Sequence, residues 1–287
     1  MTAAEFRESA PGSPVDYVYT DVSVLHEERS AFQEIVVLEH PVLGKMLVLD
    51  GVVQLTEHDE FLYHEMLVHP ALMAHPDPVN VLIVGGGDGG SLREVLKHET
   101  VGRVTVAEID RRVVDVSRDF LPALSVGFAD PRTEVVFEDG AALLEDRSRS
   151  FEVVIVDSTD PVGPAERLFS DHFYRSAARS LSPGGVFVTQ SESLLYHASF
   201  VAGVLGRLGN WFPIVDCYGQ ALAMYPGNWW AFAIATMGPR PRNPGTANRI
   251  DTRHYSRETH RKAFLARSAL KRLRAGQSPW RGTSAEA

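Results

Sequence analysis

The residues of this chain with chemistry to offer are carboxylates, and they recur where apolar runs end. Asp88 interrupts five glycines in Gly85-Gly86-Gly87-Asp88-Gly89-Gly90, and Glu108 closes the next apolar run. Asp139, with Gly140 behind it, closes a third run; Asp157 closes a fourth, with Asp160 three positions on. In a βαβ unit, an acid at the carboxyl end of the second strand, about 20 residues past a glycine turn, reaches the ribose hydroxyls of a nucleoside held over that turn. Glu108 has that spacing, and an acid at the next strand end, Asp139, can accept an adenine amino hydrogen. Asp157 and Asp160 lie on a stiff loop with Pro161 and Pro164. Asp- and Pro-rich loops are also ordinary turns, but four strand ends each finishing in an acid suit a ligand with a sugar and a cationic nitrogen.

Asp88 is the pivotal residue. Glycines in such a turn bring the backbone close to a ligand, and a free helix N-terminus behind them would accept a phosphate. Asp88 would repel a phosphate or carboxylate there and attract an amine. It could equally cap the helix, and both roles stay open from this stretch alone.

These acids need a sheet to hold them. Val81-Leu82-Ile83-Val84 is a continuous β-branched and apolar run of the kind buried on both faces of a parallel sheet, and similar runs cover residues 101–109, 134–137, 151–156 and 186–189. Shorter β-rich runs at 15–25, 32–38 and 45–49, with an Asp50-Gly51 hairpin signal, predict a small antiparallel N-terminal domain. Residues 57–74 read as a helix. The expected organisation is a flexible N-terminus (1–14), a β-hairpin domain with its connecting helix (15–75), a Rossmann-like catalytic domain (76–240) and a basic C-terminal helix and tail (241–287), with docking helix residues 255–274.

Composition narrows the function classes. The chain has 287 residues and a net charge of −9, unevenly placed: residues 240–287 carry 12 Lys+Arg against 3 Asp+Glu, and residues 1–239 carry 16 against 34. An acidic body repels nucleic acid and draws cations, and the basic tail lacks the aromatic interleaving of a single-strand binder. No apolar run is long enough to span a membrane, residues 1–7 lack signal-peptide character, and Cys217 is the single cysteine. A cytoplasmic protein with no nucleic-acid or membrane partner is expected. His58, His64 and Glu65 lack the i, i+4 pairing of a zinc helix, so no metal is expected.

Taken together, several segments resemble the spermidine synthase (polyamine aminopropyltransferase) family, relatives of the class I methyltransferases. They are Asp50-Gly51-Val52-Val53-Gln54, Asp59-Glu60-Phe61-Leu62-Tyr63-His64-Glu65-Met66, the glycine loop with Leu92-Arg93-Glu94, Glu108-Ile109-Asp110, Asp130-Pro131-Arg132, Asp139-Gly140, and the Asp157 to Phe169 loop. The resemblance implies an α/β fold, a Rossmann-like class I methyltransferase-type sheet with a small N-terminal antiparallel β domain, assembled as a homodimer or homotetramer. It implies decarboxylated S-adenosylmethionine as co-substrate and no prosthetic group. Glu108 would hold its ribose and Asp139-Gly140 its adenine, with Gln33 and Pro164 completing the nucleoside site. Asp88 would hold the aminopropyl ammonium. His64, Tyr63, Tyr225 and Asp157-Ser158-Thr159-Asp160 would line the site of a small cationic amine, with Asp157 as general base. Ser191-Glu192-Ser193 is similar to a substrate-side segment. The chain departs from the family at His58, usually Arg, and at Met224-Tyr225-Pro226-Gly227-Asn228, usually Thr-Tyr-Pro-Ser-Gly.

The chemistry suits these residue types. An amine is protonated at neutral pH, with a pKa of about 10.4, and needs a base to free its lone pair for displacement at a carbon beside a sulfonium. An S-adenosylmethionine-dependent amine N-methyltransferase and a catalytically silent nucleoside-binding protein are the alternatives.

Overall fold

The computed structural model describes residues 4–9, 12–245 and 250–280. Its first sheet is antiparallel, in the order β1-β2-β3-β4-β5. The strands are β1 (Ala4–Glu8), β2 (Tyr17–Arg29), β3 (Glu34–His40), β4 (Gly44–Leu49) and β5 (Val52–Thr56). Asp50 and Gly51, at φ 47° and 79°, make the β4–β5 turn, as the two-residue hairpin signal requires. One face of this sheet, with Ile35, Val37, Leu47, Leu49 and Leu55, packs on Val113, Val116, Leu121 and Leu124.

Then follow α1 (Glu60–Ala74), β6 (Asn80–Gly85), α2 (Gly90–Leu96), β7 (Arg103–Ala107), α3 (Arg111–Phe120), α4 (Pro122–Ser125), β8 (Thr133–Val136), α5 (Gly140–Glu145), β9 (Phe151–Asp157), α6 (Asp171–Ser180), β10 (Leu181–Ser193), α7 (Ala198–Gly209), β11 (Ile214–Ala221), β12 (Trp229–Thr236), α8 (Arg257–Ala263) and α9 (Arg267–Arg274). The second sheet runs β11-β12-β10-β9-β6-β7-β8. Its strands β8, β7, β6, β9 and β10 are parallel, and β12 and β11 close it as antiparallel neighbours. Burial on both faces is visible residue by residue: Val81 and Ile83 enter one core with α1, and Leu82 and Val84 enter the other with α6 and α7. Val153 and Ile155 alternate with Val154 and Val156 in the same way. The chain leaves β6 toward β7 and β8 and returns on the other side through β9 and β10, so a crevice opens between the carboxyl ends of β6 and β9.

Two expectations need correction. The N-terminal segment is not loosely attached throughout, because Ala4–Glu8 pairs antiparallel with β2. Glu8 is buried there, accepting from Val53 N at 3.1 Å and the Tyr19 hydroxyl at 3.1 Å; residues 1–3 and 10–11 lie outside the described residues. The C-terminal helix is two helices, because Phe264 is drawn into an antiparallel bridge with Tyr218 that extended backbone must make. The tail beyond Trp280 and residues 246–249 also lie outside the described residues. No helix among the described residues is long and apolar enough to cross a membrane.

Candidate active site

Strand register explains why Asp157 stands over the glycine turn. Gly85 and Asp157 pair at the ends of β6 and β9, and Gly86 N donates to Asp157 O at 2.8 Å. A Cβ on Gly85, at φ +82°, would come within 2.1 Å of that oxygen, so only glycine lets the two ends meet. Tyr63, buried on α1, donates its hydroxyl to Asp157 Oδ1 at 2.8 Å. Asp157 Oδ2 is buried with no well-formed hydrogen bond among the described residues, an acceptor open to a ligand N–H. Burial and the charge of Asp88 push the Asp157 carboxyl up, against the opposing pull of His64, Ser91 and Tyr63.

Asp88 sits at the start of α2 with a titratable partner beside it. Its Oδ1 accepts from Gly90 N at 2.7 Å, the first residue of α2, and faces His64 Nε2 at 3.3 Å. His64 Nδ1 lies 2.7 Å from Glu60 Oε2. Burial opposes charge on His64, yet Asp88 and Glu60 together raise it well above the ordinary histidine value. Burial likewise opposes charge on Asp88, but His64 outweighs it and holds the carboxyl low. His64, Asp88 and Asp157 offer ligating atoms within 4.8 Å of one another.

A cavity of about 280 Å³ opens beside this cluster. Lining it are the expected residues Gln33, Tyr63, His64, Asp88, Glu108, Asp139, Gly140, Asp157, Ser158, Thr159 and Tyr225. At its nucleoside end, Glu108 Oε1 accepts from Asp110 N at 2.9 Å and Gln33 Nε2 donates to Asp110 Oδ2 at 3.0 Å. Burial pushes the Glu108 carboxyl up to about 7. Asp139 Oδ1 caps α5 through Ala141 N at 2.8 Å, and Oδ2 takes Arg167 Nη1 at 2.6 Å; an adenine amino group would use the lone pairs these leave. The side chain of Pro164 lies outside what is described.

Asp160 is not in that cavity. It lines a smaller one of about 30 Å³ that shares Gln54, Tyr63, Ser158 and Tyr225 with the first and adds Glu8 and Glu192. Burial and the neighbouring Asp160 push Glu192 up to about 9, so the pair holds one proton. Burial pushes Glu8 up to about 7. Tyr225, whose hydroxyl donates to Gln54 O at 2.7 Å, stands edge-on to Tyr63 at 5.6 Å and forms the wall between the ends. In the altered Tyr225 segment, Asn228 takes φ 55°, which asparagine tolerates better than most residues, and accepts from the Tyr17 hydroxyl at 3.2 Å. Sequence reasoning missed Glu8 and Glu60; the i, i+4 spacing of Glu60 and His64 was a visible signal for the second.

The strand order, the antiparallel closing pair and the crevice at the carboxyl edge define a Rossmann-like fold of the class I methyltransferase type. Residues 60–242 match the spermine/spermidine synthase domain, and residues 6–57 match the spermidine synthase tetramerisation domain. The chain is 47% identical to polyamine aminopropyltransferase 1 of Aquifex aeolicus, over 95% of this chain and 97% of that one. It is 44% identical to the polyamine aminopropyltransferase of a Hydrogenobaculum species, over 92% and 95%. Among solved structures, a spermidine synthase in complex with the transition-state analogue AdoDATO superposes with a TM-score of 0.90 at 34% identity, covering 96% of both chains. The spermidine synthase from Thermotoga maritima gives 0.89 at 34%, over 96% and 95%. This chain belongs to the spermine/spermidine synthase family.

Proposed function

We propose that this protein is a polyamine aminopropyltransferase that moves the aminopropyl group of decarboxylated S-adenosylmethionine to putrescine or a related amine. The observation that carries the reading is the buried Asp157 Oδ2, which lines the larger cavity beside Tyr63 and Ser158, two residues that line both cavities. Family membership and the carboxyl-rich smaller cavity support it.

Asp157 accepts a proton from the amine, whose nitrogen lone pair then attacks the methylene beside the sulfonium. The carbon–sulfur bond breaks with its electrons going to sulfur, which leaves as neutral methylthioadenosine. Asp88 pairs with the aminopropyl ammonium, and Asp160, Glu192 and Glu8 receive the far ammonium of the acceptor. Glu108, Gln33, Asp139 and Gly140 hold ribose and adenine. A raised carboxyl is a better proton acceptor than an ordinary aspartate, because its basicity lies closer to the working pH. An N-methyltransferase would have to seat the carboxylate of intact S-adenosylmethionine beside Asp88 and Asp157, against two like charges.

The match of residues 6–57 to a tetramerisation domain supports a homotetramer, and β2 carries exposed Val18, Val24 and Leu25. With a single, buried cysteine, Cys217, the fold needs no oxidising compartment, which is compatible with the cytoplasmic location we propose.

The test is incubation with decarboxylated S-adenosylmethionine and, separately, putrescine, cadaverine, agmatine and spermidine, with products identified by mass. Amine-dependent methylthioadenosine release, highest with putrescine, is expected; no product with any amine would sink the reading. Asp157→Asn should lose about 10²- to 10⁴-fold in turnover with methylthioadenosine affinity nearly kept, which also separates an enzyme from a silent binder.

A further inference from the structure

Glu60 lines neither of the two cavities of the candidate active site, yet it is tied into the site through His64. We propose that Glu60 is a positioning residue for aminopropyl transfer: through His64 it fixes a positive charge beside Asp88 and Asp157, and so sets the pH at which Asp157 serves as base. This rests on the transferase reading above.

Glu60 opens α1 and is buried. Its Oε2 faces His64 Nδ1 at 2.7 Å and accepts from Arg93 Nη2 at 2.8 Å, while Arg93 Nε donates to Glu94 Oε1 at 2.8 Å. Glu94, Arg93, Glu60, His64 and Asp88 thus alternate in sign along one line of contacts. The imidazole has one place to be. A Cβ on Gly90 would lie 2.3 to 2.5 Å from three of its ring atoms, so the ring rests on the bare backbone of Gly90, and its two nitrogens are aimed at Glu60 and Asp88. Tyr63 stands edge-on to it at 5.2 Å while donating to Asp157. The charged and titratable groups that face His64 are therefore Glu60 and Tyr63 from α1, Asp88 from the glycine loop, and Asp157 from the end of β9, with Arg93 of α2 behind Glu60.

Glu60 acts by charge as well as by hydrogen bonding. Glutamine at this position can still hydrogen-bond to His64 but leaves the imidazolium with one carboxylate instead of two. His64 then gives up its proton nearer neutrality. Asp157 is left facing Asp88 with no compensating cation and binds its own proton more tightly. An opposite charge at such range shifts a carboxyl by about 1 to 3 units, so its loss should move Asp157 upward by about one unit or more.

Two measurements test this. The first is the pH dependence of kcat at saturating amine, whose acidic limb reports the base in the complex and leaves out the protons that amine binding expels from Glu8 and Glu192. In Glu60→Gln that limb should move up by about one unit or more; in Glu60→Asp, which keeps the charge, it should stay near the wild-type position even if the rate falls. Gly90→Ala keeps Glu60 but expels the ring, and should shift the limb in the same direction, which keeps the test open if Glu60→Gln fails to fold. An unmoved limb in both Glu60→Gln and Gly90→Ala, or equal shifts in Glu60→Gln and Glu60→Asp, would overturn the proposal. The second is NMR of histidine ring carbons in the unliganded protein, with His64 assigned by its loss in His64→Gln. His64 should stay charged well above the ordinary histidine range in the wild type and give up its proton at clearly lower pH in Glu60→Gln; a neutral His64 in the wild type would also overturn it. The NMR readout needs no turnover, so failure of the transferase reading alone would leave it intact.

Discussion

Polyamine binding to the unliganded protein should expel protons. Glu192 stands at about 9 and Glu8 at about 7, both raised first by burial. At pH 7.5 the first is almost wholly protonated and the second about a quarter so. An ammonium within contact distance lowers a carboxyl by about 1 to 3 units. Worked through for both groups, that fall releases between roughly 0.4 and 1.2 protons per amine bound. The sign is fixed: these groups are held above their ordinary values without ligand and fall toward them with it, so affinity rises with pH from about 7 toward 9, while the amine itself remains charged. The assay is calorimetric titration of putrescine at pH 7.5 in buffers of different ionisation enthalpy, where the slope of observed enthalpy counts the protons. Glu192→Gln removes the group that contributes most at the upper end and should cut the slope by half or more when the fall is large. A slope of zero in the wild type, or one unchanged in Glu192→Gln, would refute the assignment of this cavity to the far ammonium.

Asp88→Asn should weaken decarboxylated S-adenosylmethionine by about 10- to 150-fold, the equivalent of a charged hydrogen bond of about 1.5 to 3 kcal/mol. Methylthioadenosine, which lacks the ammonium, should change little, and parallel losses in calorimetry would reduce Asp88 to a helix cap. Glu65 is buried and accepts from Arg253 N, His254 N and Tyr255 N at 2.7, 2.8 and 2.6 Å, which clamps the C-terminal segment to α1. Glu65→Gln keeps the shape but removes the charge, and denaturant unfolding should show a loss of about 1.5 to 3 kcal/mol; an unchanged midpoint would refute the clamp.

The central sheet was legible because strands buried on both faces cannot alternate, and Val81 to Val84 and Val153 to Val156 are apolar throughout. The acids at its carboxyl edge were legible for the same reason: once the strands are placed, open α/β topology brings Asp88, Glu108, Asp139 and Asp157 to one crevice. The resemblance supplied what spacing could not, the partners Gln33 and Tyr225 from elements far along the chain. Glu8 stayed hidden because a buried carboxyl runs against the pattern by which strands are recognised, and its neighbours are small and polar. The break between α8 and α9 was hidden differently. Local periodicity continues through Phe264, and it is the bridge to Tyr218, the Leu265 N bond to Cys217 O at 3.0 Å and the Arg242 Nη2 bond to Leu265 O at 2.9 Å that hold the chain extended there.

Burying this many acids around one crevice is costly unless each is compensated, and the protein does so in two ways that divide the site by role. Asp88 is compensated by His64, a cation built into the fold and held from behind by Glu60. That charge is favoured, because both ring nitrogens face carboxylates and the ring is seated on Gly90. Glu192 and Glu8 are compensated by protons, which a cationic substrate can replace without any rearrangement of the backbone. On the proposed reading the fixed cation stands beside the reacting centre, where its field would keep Asp157 within reach of its proton, and the exchangeable protons stand at the far end, where the acceptor would enter. Asp157 carries Tyr63 on one oxygen, and the other has no well-formed hydrogen bond among the described residues. Its basicity is then a joint property of a structural imidazolium and of the charge that the bound amine brings.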